Sequence, residues 1–80
     1  MATVTLLYFA SLRERAGLAR EVIVTSAADL AGVYDDVQAR HGFDWPREHL
    51  RVAVDGEFAR WSDAPVADSE IAFIPPVSGG

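Results

Sequence analysis

Glu70-Ile71-Ala72-Phe73-Ile74-Pro75-Pro76 decides how this chain folds. Five residues with the apolar character of a strand run into two prolines. The prolines remove two backbone donors, stop any further sheet pairing and stiffen the exit of the chain. Upstream, Asp63-Ala64-Pro65 and Asp68-Ser69 mark turns around Val66, and Glu57 to Trp61 is a short returning strand. Asp55-Gly56 is a tight-turn signal after Leu50 to Val54, a strand expected to face the core with Leu50, Val52 and Val54.

Before that strand lies a loop, Phe43 to His49, fixed by Pro46, and before the loop a helix. Ser26 is placed to cap the helix start, with Asp29 as the acidic member of a capping box. Leu30, Val33 and Val37 recur at helical spacing with Tyr34 beside the stripe, Asp36 and Arg40 are spaced to pair, and Gly42 is a natural stop. Glu21 to Thr25 is a second strand, and Ser11 to Gly17 a short helical turn. Thr3 to Phe9 is the first strand, with Val4, Leu6 and Tyr8 on one face and Leu7 and Phe9 on the other.

The order strand, strand, helix, strand, short strand, strand is that of an α+β domain. A mixed sheet packs on one main helix in two layers, the β-grasp or ubiquitin-like arrangement. The first and last strands then lie parallel at the centre. Residues 1–75 are expected to form the domain and 76–80 a flexible tail.

The 80 residues carry seven arginines, no lysine, no cysteine and twelve carboxylates, for a net charge of −5. The acidic balance argues against nucleic-acid binding and leans toward a basic protein partner. The missing cysteine excludes disulfides, thiolate metal sites and thiol nucleophiles. With no signal segment and no membrane-length apolar run, a cytoplasmic location is expected, with no membrane partner. The glycines form no phosphate loop. His41 and His49 suggest no metal site and are expected as solvated helix-end and loop residues. Scattered acidic residues call for nothing beyond ordinary solvation.

Two features remain. At Gly79-Gly80 two readings stand: a frayed end, or a tail without side chains that enters a narrow channel and presents a bare carboxylate. The other feature is the sheet face away from the helix, where parity puts Leu7, Phe9, Ala53, Ala72 and Ile74, with Phe58 adjoining. Phe9, Phe58 and Ile74 there would form a protein-docking patch or a minor core.

The runs Leu7-Tyr8-Phe9-Ala10-Ser11-Leu12-Arg13-Glu14, Val52-Ala53-Val54-Asp55 and Glu70 through Pro75-Pro76-Val77-Ser78-Gly79-Gly80 resemble the MoaD family, the small sulfur-carrier subunits of molybdopterin synthase. The resemblance implies that Gly80 is adenylated by an activating enzyme that uses ATP. A sulfur donor system then converts it to a covalent thiocarboxylate. The sulfur goes to cyclic pyranopterin monophosphate in the large synthase subunit, within a two-plus-two heterotetramer. It also implies that Phe9, Arg13, Phe58 and Ile74 contact partners, that Pro75 to Gly79 form the tail, and that the isolated chain binds no cofactor. Asp55, where relatives have asparagine, and Ser69, in place of a turn glycine, depart from the pattern. A carrier for thiazole synthesis and a ubiquitin-like protein modifier are the alternatives.

Overall fold

A computed structural model of the chain describes residues 1–76. The elements are β1 (Ala2–Tyr8), α1 (Ala10–Ala16), β2 (Arg20–Thr25), α2 (Leu30–His41), a 3₁₀ turn (Arg47–His49), β3 (Arg51–Val54), β4 (Glu57–Ala59) and β5 (Glu70–Ile74). They build one mixed sheet in the order β2-β1-β5-β3-β4. β1 and β5 run parallel at its centre, with Leu6 beside Ile71 and Tyr8 beside Phe73, while every other pairing is antiparallel. The expected β-grasp topology is therefore the observed one.

Period two sorts the strands. Val4, Leu6, Tyr8, Ile23, Val52, Ile71 and Phe73 point to the helix side and are buried there with Leu30, Val33, Tyr34 and Val37 of α2. Tyr34, expected beside the helical stripe, lies inside it: it is fully buried, and its ring meets Phe73 edge-on at 5.2 Å. Its hydroxyl donates to the Trp45 carbonyl at 2.6 Å, so a polar atom rides into the core satisfied.

The helix begins later than Ser26 suggested. Asp29 is the cap, its Oδ1 accepting the Gly32 N–H at 2.8 Å. The next two orphan donors, the N–H groups of Leu30 and Ala31, go to the carbonyls of Asp63 and Trp61, which anchor the start of α2 to the loop after β4. Gly42 ends α2 in the left-handed conformation, as expected. Arg40 does not pair with Asp36; it reaches Glu21 of β2 at 3.4 Å. β4 stops at Ala59, two residues short of Trp61, because Trp61 turns into the core and stacks on Phe73.

The Asp55-Gly56 turn has positive φ at both residues, 51° and 86°, the geometry that joins tight hairpins. Asp55 also accepts the Glu70 N–H on Oδ1 at 2.9 Å and donates its own N–H to the Glu70 carbonyl, fastening the hairpin to the start of β5. Ser69 suits its turn without glycine. The side chain is buried, with Oγ donating to the Val66 carbonyl, and the positive φ falls on Asp68 instead.

Candidate functional site

β5 is the middle strand of the five and has a neighbour on both sides, so the chain beyond it leaves from the centre of the sheet. Ile74 is half-buried, Pro75 buried and Pro76 exposed. Val77, Ser78, Gly79 and Gly80 lie outside the described residues.

The face of the sheet away from α2 meets this exit. One row runs straight across it through the pairs Arg20–Leu7, Leu7–Ala72, Ala72–Ala53 and Ala53–Phe58. The next row holds Ile74 opposite Arg51. Phe9 continues the extended backbone of β1 and stands level with Ile74 in the parallel register. Its carbonyl accepts the N–H groups of Leu12 and Arg13, so the residue that exposes its ring also opens α1. Phe58 is 67% and Phe9 46% exposed, a large apolar surface to leave in water. Ala53 and Ala72 correct the expected patch: both are buried, since methyl groups at the sheet surface are shaded by larger neighbours. They form a flat floor between Leu7 and Phe58.

A groove lined by Leu50, Arg51, Phe58, Ile74, Pro75 and Pro76 joins this face to the tail root. The Arg51 guanidinium lies 4.9 Å from the Phe58 ring centre, which holds a charge at the groove beside an aromatic platform. Arg13 is exposed on α1, one turn after Phe9; no contact brings it to Phe58 among the described residues. The structure thus gathers Phe58, Ile74 and the prolines, with Phe9 level with Ile74, and leaves Arg13 at the side.

A polar cluster on the helix side was not foreseen. Glu21 accepts the Tyr8 hydroxyl at 2.7 Å, contacts His41 Nε2 at 2.9 Å and pairs with Arg40. The His41 side chain is 14% exposed, so it is no solvated helix end. Burial pushes the Glu21 carboxyl up, but hydrogen bonds from His41 and Tyr8 and the charges of His41 and Arg40 outweigh it and hold the group below its ordinary value. The Tyr8 hydroxyl moves the other way, raised first by burial and then by Glu21. This cluster ties β1, β2 and the end of α2 together. Among the described residues no group of His, Asp and Glu is arranged to hold a metal, and no helix is long and apolar enough to cross a membrane.

A sequence model of the ThiS family matches residues 6–80. The chain belongs to the ThiS family. As a ThiS-family protein it is a ubiquitin-like member of the ThiS/MoaD group of sulfur carriers. Small archaeal modifier protein 1 from Haloferax volcanii is 29% identical, with 99% of this chain and 100% of that one covered and a TM-score of 0.80. The putative molybdopterin converting factor subunit 1 from Pyrococcus furiosus is 22% identical over 96% of this chain and 100% of its own, with a TM-score of 0.78. Subunits 1 and 2 of the molybdopterin-converting factor from Helicobacter pylori form a complex, one chain of which is 19% identical over 98% of this chain and 99% of that one, with a TM-score of 0.67. The last two likenesses are likenesses of fold. The fold and the exposed apolar face of this ThiS-family chain follow from the same apolar strands.

Proposed function

We propose that this chain carries sulfur on Gly80 for molybdenum cofactor biosynthesis. The observation that supports it is the placement of the tail root. β5, fixed on both sides, hands the chain to Pro75-Pro76 at the rim of an exposed apolar face. A partner that covers Phe9, Phe58 and Ile74 therefore receives residues 77–80 from a defined origin, and docking and delivery become one event. The Helicobacter pylori relative is seen in complex with a second subunit, which supports a large-subunit partner.

The resemblance to the sulfur carriers implies a cargo on the carboxylate of Gly80, and the chain has no cysteine or lysine to compete for it. A carboxylate is a poor electrophile. In the activating enzyme one of its oxygens displaces pyrophosphate from ATP, giving an acyl-adenylate. Hydrosulfide supplied by the donor system then attacks the acyl carbon and displaces AMP with loss of a proton, leaving a thiocarboxylate. That sulfur is delivered to cyclic pyranopterin monophosphate in the large subunit, where partner residues supply acid, base and positioning.

The test is reconstitution with the thiocarboxylate form, which is about 16 Da heavier because sulfur replaces oxygen. Conversion of the precursor to the dithiolene is expected with the large subunit, and none after deletion of Gly80. Wild-type conversion by the deletion variant overturns the proposal. The likeness to an archaeal modifier protein raises a competing outcome, an isopeptide between Gly80 and a lysine of another protein. Conjugates in place of the thiocarboxylate would assign the chain to that role.

A further inference from the structure

Val22 and Val24 stand 66% and 63% exposed on β2, on the same face of the sheet as Phe58 but at its opposite edge. Thr5 and Thr3 face them on β1, and the Arg20–Glu70 ion pair closes one end, so they are a second apolar strip, separated from the docking face by polar groups. β2 is also an edge of the sheet. The bonding phase of its ladder is fixed by the Tyr8 N–H, which donates to the Ala19 carbonyl at 2.8 Å. Bonded pairs in an antiparallel ladder alternate, so Glu21, Ile23 and Thr25 turn their backbone groups to β1, and Arg20, Val22 and Val24 turn theirs outward.

Edge strands are ordinarily kept apart by shortness, lysine, proline, a bulge or a cover. The other edge, β4, is three residues long. β2 has six residues in unbroken register, with no lysine or proline. Its only charges, Arg20 and Glu21, sit at one end. From this we infer that β2 pairs antiparallel with β2 of a second copy of this chain, on a two-fold axis through Ile23.

The strand's own sequence selects that occupant and that register. With the axis at Ile23, Val22 of each copy lies opposite Val24 of the other. These are the residues whose free N–H and C=O point outward, so four backbone bonds form. Ile23 meets its own copy beneath the sheet, and Glu21 falls opposite Thr25. Moving the axis to Val22 would instead set the Glu21 carboxylate against Ile23 and bring the two Glu21 side chains toward each other, unfavourable between two chains of net charge −5. A two-fold axis normal to the sheet keeps both docking faces on one side of a ten-stranded sheet, so the Phe9–Phe58–Ile74 surfaces stay open in the dimer.

Sedimentation of the full chain tests this, together with cysteine cross-linking, for which the cysteine-free sequence gives no background. Between about 20 μM and about 1 mM the weight-average mass should climb toward twice that of the monomer. Val24→Lys, at an exposed position whose N–H turns away from β1, should remain monomeric across that range with an unchanged circular dichroism spectrum. A mixture of Val22→Cys and Val24→Cys chains should oxidise to the mixed disulfide in preference to either homodimer. A wild-type chain that stays monomeric at the highest loading overturns the inference. So does a Val24→Lys dimer, a dimer abolished by Phe58→Asp but not by Val24→Lys, or preferential disulfide formation between two Val22→Cys chains.

Discussion

Replacing Glu21 with alanine should cost more stability than any other change of a polar residue outside the turns. The carboxylate is one-fifth exposed and accepts from Tyr8, His41 and Arg40. Tyr8 is buried, and alanine leaves its hydroxyl without a partner, a penalty of about 1–3 kcal/mol. The contact with half-buried His41 adds about 1 kcal/mol, while Arg40, half exposed, adds at most a few tenths. The total, about 2–4 kcal/mol, is a large share of the roughly 4–12 kcal/mol expected for a domain of this size. Thermal unfolding should shift down by about 10–25 °C. Tyr8→Phe removes the orphaned hydroxyl, so the double variant should be more stable than the two single costs predict, by about 1 kcal/mol.

The pH dependence has a definite sign. The folded-state pKa of Glu21 lies below its unfolded value, so its contribution is present above the ordinary carboxylate range and lost as pH falls through the depressed value. The gap between wild type and Glu21→Ala should therefore narrow in acid. Urea unfolding at neutral pH and in acid measures both effects. A cost under about 0.5 kcal/mol at neutral pH, or a gap that widens in acid, refutes the reasoning.

Both tyrosines of the chain are buried, and burial pushes the Tyr34 hydroxyl up to about 12 and Tyr8 further in the same direction. Phenolate absorbance should therefore be absent from the folded protein when pH passes the ordinary value of about 10, and appear with unfolding. The stabilisation this brings is complete below that ordinary value and is lost as pH rises through the folded-state ones. Gly56→Ala should cost about 1–2 kcal/mol by chemical denaturation purely through the backbone, since its φ is +86° and an added methyl meets nothing within 4 Å. Phe58→Asp should weaken binding to the large subunit at least tenfold in calorimetry, equivalent to about 1.4 kcal/mol, with little change in melting because the ring is two-thirds exposed. Undiminished binding would remove Phe58 from the docking face.

The sheet was legible from local signals. Asp55-Gly56, Gly42 and the double proline each constrain the backbone by themselves, and strand alternation told which of Leu6 and Leu7 would be covered. The exposed apolar face was legible in part: parity puts Phe9 and Ile74 on it, and Phe58 adjoins them from the short strand. What escaped the sequence depends on neighbours distant along the chain. Glu21 looked like an ordinary strand-edge carboxylate until folding brought Tyr8 and His41, 13 and 20 residues away, to the same oxygen. Ser26 and Asp29 are both good caps. The choice falls to Asp29 because the carbonyls of Trp61 and Asp63 wait for the next two N–H groups. The outward valines of β2 left no trace in the unbroken apolar run Val22-Ile23-Val24, and only the sheet order shows that the strand is an edge.

The parallel pairing of β1 with β5 has a mechanical consequence. A pull on the tail draws β5 along its own length, while the opposing anchor, the start of β1, lies at the far end of the neighbouring strand. Such a load is shear. It strains the β1–β5 ladder bonds together instead of peeling them singly, and the β3 ladder on the other flank shares it. A force applied beyond Pro76 is thus taken up along the ladders on both flanks of β5.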